Sequence, residues 1–292
     1  MALKQKIKTA IKLLIDRRPK INVTVNVTTL SENSLLKGRC AIITGGTSGI
    51  GYAIAKAYIN AGAAVVITGR NEKRINKTLD KLRTLSSEAV VIGKVLDNQK
   101  VDTFEEIFSF IKEEIKRYGI NKIDILVNNA GVNHPGMPNA TEEEYDQVLD
   151  TNLKGVFFLS QMFGKYLVDQ GIKGNILNIA SSSSLRPADS AYTLSKWGIR
   201  GLTLGLAKAL AKNGITVNGI APGPTATPMM LKSNDKNMAH DKLPLGRYIT
   251  PEEIVNMAVI LVSDMSHSIM GDIVYMTGGA GILTYDDVPY GF

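Results

Sequence analysis

From Leu36 onward the 292-residue chain alternates short β-rich apolar runs with longer helical stretches, and no other feature restricts its fold as much. The runs are CAII at 40–43, AVVI at 64–67 and again at 89–92, IDILV at 123–127, NILNIA at 175–180, ITVNGIA at 215–221 and IVYM at 273–276. Short continuous apolar runs of this kind suit strands buried on both faces. Helical patterns fill the intervals near 50–61, 72–86, 102–118, 142–150, 153–170, 190–213 and 251–263. Two helix starts carry their own chemistry: Thr141 and Glu144 have capping-box spacing, and Thr250-Pro251-Glu252-Glu253 adds proline at the first helical position. Seven strands separated by helices predict an α/β domain, residues 36–292, with a parallel sheet covered on both faces.

Residues 1–35 form an extension of different character. Positions 1–18 have helical spacing of Leu3, Ile7, Ala10, Ile11, Leu14 and Ile15, with basic residues around most of the remainder, and Pro19 ends the pattern. Ile21, Val23, Val25 and Val27 then alternate with Asn22, Thr24, Asn26 and Thr28, a strand pattern. Of the formal net charge of +7, residues 1–20 contribute +6 and the rest of the chain +1. A body so near neutrality argues against a nucleic-acid partner. Packing on a neighbouring subunit or domain is the first reading of the extension; a membrane surface, a disordered basic tail and a transit peptide are the others. Lys12 and Asp16 interrupt what a secretory signal needs as an unbroken apolar run, so the expected location is cytoplasmic. One cysteine, Cys40, and three histidines without metal-site spacing predict no metal.

The first strand runs into Thr44-Gly45-Gly46-Thr47-Ser48-Gly49-Ile50-Gly51, and a helix follows. Such a turn brings a pyrophosphate close to the backbone and presents it to the free N–H groups of a helix N-terminus. The second strand ends in Thr68-Gly69-Arg70-Asn71, with no acid where an NAD site places one for the adenosine ribose. Arg70, helped by the Thr47 hydroxyl, could clamp the 2′-phosphate of NADP; the alternative is a solvated surface arginine. NADP(H) is therefore expected in preference to NAD(H).

Further along, Tyr192-Thr193-Leu194-Ser195-Lys196 opens a long helix and sets a phenol and an ammonium on one face. A nearby cation should lower the phenol's pKa and make it a usable proton donor and acceptor. Strand four ends in Asn128-Asn129-Ala130-Gly131, strand five in Asn178-Ile179-Ala180-Ser181, and strand six in Ala221-Pro222-Gly223-Pro224-Thr225-Ala226-Thr227-Pro228. A helix between strands four and five carries Asp150-Thr151-Asn152-Leu153-Lys154-Gly155.

In order and approximate spacing these motifs resemble the short-chain dehydrogenase/reductase family, over about Leu36 to Gly281. The resemblance implies one Rossmann-type, doubly wound domain with strand order 3-2-1-4-5-6-7, assembled as a homo-tetramer or homo-dimer. It implies that Tyr192 is the proton donor for carbonyl reduction and the base for alcohol oxidation. Lys196 would bind the nicotinamide ribose and lower the tyrosine pKa, Ser181 would hydrogen-bond the substrate oxygen, and Asn152 would hold a water of a proton relay. The cofactor would rest on Gly45, Thr47, Ser48, Gly49, Ile50 and Gly51, with Arg70 and Asn71 at its phosphate. Asp97 would touch adenine, and Asn128, Ala130 and Gly131 the adenosine ribose side. Pro222, Gly223, Thr225 and Thr227 would form the nicotinamide side, the two threonines anchoring its carboxamide. Ser181 precedes Tyr192 by 11 positions where the family usually has 13, which brings Ser182 and Ser183 into competition for its role.

The expected activity is interconversion of a carbonyl and a secondary alcohol of a small molecule; the alternative is a non-catalytic dinucleotide-binding regulator on the same fold. Candidate substrate-side residues are His134, Met137, Leu185, Arg186 and the segment Met229–Leu243, whose polar composition reads as a lid. Arg186 could meet an anionic group or serve as an ordinary loop arginine.

Overall fold

The computed structural model describes residues 23–24, 33–227 and 237–284. The chain alternates β1 (Cys40–Ile43), α1 (Gly49–Asn60), β2 (Ala64–Gly69), α2 (Glu72–Arg83), β3 (Val91–Val95), α3 (Phe104–Lys116) and β4 (Ile125–Asn128). It continues with α4 (Glu142–Leu149), α5 (Gly155–Asp169), β5 (Asn175–Ile179), α6 (Ala191–Leu210), β6 (Thr216–Pro222), α7 (Pro251–Val262) and β7 (Ile273–Met276). All seven strands are parallel, in the order β3-β2-β1-β4-β5-β6-β7, the topology expected from the sequence.

Period-2 geometry sends alternate residues of each strand to opposite faces, and each face meets its own set of helices. Ala41, Ile43, Val65, Ile67, Val127 and Ile220 pack with apolar residues of α1, α2 and α7. Cys40, Ile42, Val66, Leu126 and Val217 pack on the other face with α3, α5 and Ala207 of α6. Both capping boxes form, Thr141 with Glu144 on α4 and Thr250 with Glu253 on α7. At the N-terminal edge of the sheet the fully buried Asp124 carboxylate accepts from Arg39 and from the Cys40 N–H. Burial, and after it the Asp124 charge, pushes the Cys40 thiol up to about 12, which leaves it protonated and inert at neutral pH.

Two local features depart from the sequence expectation. The third strand is Val91–Val95 rather than 89–92, because it is the sheet's edge and its last residues, Lys94 and Val95, need no apolar cover. Helices α4 and α5 are joined through a π turn at Asp150–Lys154, with no break for a loop. Among the described residues no helix is long and apolar enough to cross a membrane.

Of the extension, the expected helix over 1–18 and most of the expected strand lie outside the described residues. Val23 and Thr24 are described. The Val23 N–H donates to Asn237 Oδ1 at 3.3 Å, and its carbonyl accepts the Met238 N–H at 3.4 Å.

Candidate active site

The carboxyl ends of the strands open into a cleft of about 1150 Å³ at the point where the sheet order reverses, between β1 and β4. Thr44 joins the two halves of its floor. Its hydroxyl donates to the Val127 carbonyl and accepts the N–H groups of Asn129 and Ala130, at 3.0 Å each. The glycine turn is therefore fastened to the turn after β4. Gly45 has φ +65°, and a Cβ there would stand 2.9 Å from the Ala130 Cα, so both conformation and space require glycine. Gly51 serves packing: a Cβ would fall 2.4 Å from Asn129 Nδ2 and 2.5 Å from the Gly45 carbonyl oxygen, and the residue does not line the cleft.

The N-terminus of α1 faces the cleft uncapped. Ser48 makes no side-chain capping hydrogen bond, and no acid occupies the first turn. By contrast α2, α4 and α7 each begin with a side-chain cap and an acidic first turn. Free N–H donors at a positive dipole end, reached across a turn of glycines, are the chemistry that a pyrophosphate needs. Arg70 and Asn71 line the same end of the cleft, with Thr47 beside Gly69. Arg74 lines it too, a role with no sequence signal, since it looks like any surface arginine in the first turn of α2. These residues fit a phosphorylated dinucleotide.

At the middle of the cleft lie Ser181, Tyr192 and Lys196. Ser190 caps α6 through the Thr193 N–H, so Tyr192 occupies the first turn and Lys196 the next. Ser181 is the side chain whose hydroxyl acts on the Tyr192 phenol to lower its pKa, while Ser182 and Ser183 also line the cleft. Ser181 Oγ also accepts the Ser183 N–H at 3.1 Å and lies 3.3 Å from the Ser183 hydroxyl. The Lys196 ammonium donates to the Ile179 carbonyl at 2.8 Å and sits 5.5 Å from the Tyr192 ring centroid.

Electrostatics here differ from the sequence expectation. Burial raises the Tyr192 phenol above its ordinary value, and the Ser181 hydrogen bond draws it back only in part. Burial also pushes Lys196 down to about 8. In the protein by itself the lysine therefore does not depress the tyrosine; desolvation outweighs it, and the phenol stays neutral, in its proton-donating form.

Asn152 is buried in the π turn and does not line the cleft. Its side chain instead holds the loop after β4, accepting the Val132 N–H at 2.8 Å and donating to the Val132 carbonyl at 2.9 Å. Nor does Asn128 reach the cleft, against the role implied for it at the adenosine ribose. Its buried amide donates to Ser160 Oγ of α5 at 2.9 Å and to Asn178 Oδ1 of β5 at 2.8 Å; Asn178 in turn donates to Thr203 Oγ1 of α6 at 2.9 Å. Its neighbour Asn129 lines the cleft in its place, with Ala130, Gly131 and Asp97.

Pro222, Gly223, Thr225 and Thr227 line the remaining wall. This loop pairs with Ile249, whose N–H donates to the Pro224 carbonyl at 2.9 Å and whose carbonyl accepts the Ala226 N–H at 2.8 Å. On the substrate side His134, Met137, Asp189 and buried Arg186 line the cleft; Leu185 does not. His134 lies between Gln147 and Glu144, a structural setting. Met229 and Met230 lie outside the described residues.

Comparison with known proteins bears on this site as a whole. A family model described as enoyl-(acyl carrier protein) reductase matches residues 45–281. The chain is 36% identical over 251 residues to a 3α-hydroxysteroid dehydrogenase of Mediterraneibacter gnavus, a match covering 84% of this chain and 98% of that protein. It is 34% identical over 249 residues to the 3-oxoacyl-(acyl-carrier-protein) reductase FabG of Thermotoga maritima, again covering 84% of this chain and 98% of the other. Among solved structures, a short-chain type dehydrogenase/reductase from Mycobacterium marinum superposes with a TM-score of 0.75 at 31% identity, over 84% of this chain and 96% of that one.

Proposed function

The chain belongs to the short-chain dehydrogenase/reductase family, a family of oxidoreductases, and from that premise we propose that it interconverts a carbonyl and a secondary alcohol of a small molecule with NADP(H). The observation that carries this reading is the Ser181–Tyr192–Lys196 cluster, set in the cleft between the uncapped helix end and the loop after β6. The nicotinamide, when bound, supplies or accepts the hydride.

The protein's own contribution follows from its groups. Ser181 donates a hydrogen bond to the substrate oxygen and orients it. Tyr192, kept neutral by burial, gives its proton to that oxygen as negative charge develops there. Lys196, cationic below about pH 8, stabilises the phenolate that remains. In oxidation the same groups act in reverse. Asn152 positions this machinery by fixing the loop after β4.

Arg70 and Arg74 at the adenosine end, with no acid beside them at the end of β2, support NADP(H) over NAD(H). Large apolar side chains exposed on α5 and α6, Phe157, Phe158, Trp197 and Leu204, support a dimer or tetramer. A cytoplasmic location, and residues 1–35 as an extension outside the catalytic domain, belong to the same reading. Tyr192→Phe tests it: with a panel of ketosteroids, β-ketoacyl thioesters and keto sugars followed at the NADPH absorbance, turnover should be lost while NADPH still binds. Undiminished turnover in that variant refutes the proposed acid.

A further inference from the structure

The residues before the family match carry a feature that the proposed reaction has not used. Joined through Ile249 to the loop after β6 is a small antiparallel pairing of 237–240 with 246–248. Tyr248 N–H donates to the Met238 carbonyl at 2.8 Å, His240 N–H to the Gly246 carbonyl at 2.9 Å, and Ala239 bridges Arg247. Two such strands alone are marginal in water; a third makes the unit stable. Val23 makes two hydrogen bonds to this pairing. Its N–H donates to the Asn237 side-chain Oδ1 at 3.3 Å, and its carbonyl accepts the Met238 N–H at 3.4 Å. Its side chain is half-buried and that of Thr24 exposed, as the alternation of valines with asparagine and threonine over 21–28 requires of a strand with one covered face.

The ladder does not stop at the hairpin. Met238 carries it to Tyr248, and the next residue, Ile249, grips the loop after β6 on both sides of Thr225, through Pro224 and Ala226. Arg247 is fixed beneath it by a bidentate pair with Glu253, at 2.9 and 2.7 Å, and Glu253 belongs to the cap of α7. A continuous run of backbone hydrogen bonds thus joins the extension to a loop that lines the cofactor cleft.

We propose that the extension is a positioning segment for the reaction: Val23 adds a strand to the 237–248 hairpin and so sets the order of the Pro224–Thr227 loop that closes on the cofactor. The proposal rests on the reading that this loop meets a dinucleotide. It makes the extension part of the enzyme's working surface by β-strand addition within one chain.

Val23→Pro removes the N–H and rigidifies the backbone at one position outside the core. Hydrogen exchange of the full-length, ligand-free protein should show amides over 237–249 exchanging about tenfold faster, with β1 unchanged. NADPH fluorescence titration should show the Kd rising about fivefold, with the thermal midpoint unmoved. Val23→Ala keeps the backbone groups and should restore both values, and a chain starting at Asn33 should reproduce the proline variant. Unaltered exchange over 237–249 in the proline variant and in the truncated chain overturns the docking. Faster exchange with unaltered NADPH affinity overturns the positioning role. Because exchange is read without ligand, the strand can be established or dismissed even if NADPH proves not to bind at all, a result that would instead count against the oxidoreductase reading.

Discussion

Consider Lys196→Met, which exchanges a buried ammonium for an apolar chain of similar length. Burial moves this lysine from the ordinary 10.5 to about 8, and at about 1.4 kcal/mol per pKa unit the folded state bears a cost of about 3 kcal/mol for keeping it charged at pH 7. Methionine removes that cost and forfeits the hydrogen bond to the Ile179 carbonyl, worth about 1 kcal/mol. The variant should therefore be about 2 kcal/mol more stable at pH 7, with a midpoint raised by about 5 °C, and should have no turnover. The sign of the pH dependence follows from proton counting. Between pH 8 and 10.5 the unfolded lysine still binds its proton while the folded one has released it, so wild-type stability rises with pH across that window. The variant lacks this rise. Its advantage should shrink above pH 8 and reverse, leaving it about 1 kcal/mol the less stable by pH 10.5. Urea denaturation of both proteins at pH 7, 8, 9 and 10 reads this directly. A variant that is less stable at pH 7, or two stability curves that run parallel, would show that Lys196 is not a strained buried cation.

Two further outcomes follow from the site. Arg70→Ser should weaken NADPH about tenfold or more and leave NADH nearly unchanged, as removal of a charge-assisted phosphate contact requires; equal effects on both, by fluorescence titration, would make Arg70 a bystander. Asn152→Ala loses both hydrogen bonds to Val132 and should cost about 2 kcal/mol of stability, read by chemical denaturation, together with most of the turnover; an unchanged denaturation midpoint would refute its hold on the loop after β4.

Much of the fold was legible because a doubly covered parallel sheet needs uninterrupted apolar strands, and runs such as CAII and AVVI have few other uses. The edge strand starts two residues later and ends three residues later than its apolar run, and the far end is hidden because burial fades from Gly93 onward. The π turn was invisible: DTNLK has ordinary helical propensity, and only packing against Asn98, whose backbone would lie 2.3 Å from a Cβ at Gly155, marks where the helix widens. At the site, spacing placed Tyr192 and Lys196 on one face but could not say how dry that face is, and dryness decides both pKa directions. Asn128 and Asn129 are adjacent and identical in kind, so sequence alone does not tell which turns up to the cleft and which down into the sheet. Strand alternation settles it, once β4 is known to end at Asn128.

That downward asparagine has a mechanical consequence. Through Ser160, Asn178 and Thr203 it bolts α5 and α6 to the two central strands beneath the reacting groups, so the anvil on which Tyr192 and Ser181 sit cannot shift piecemeal.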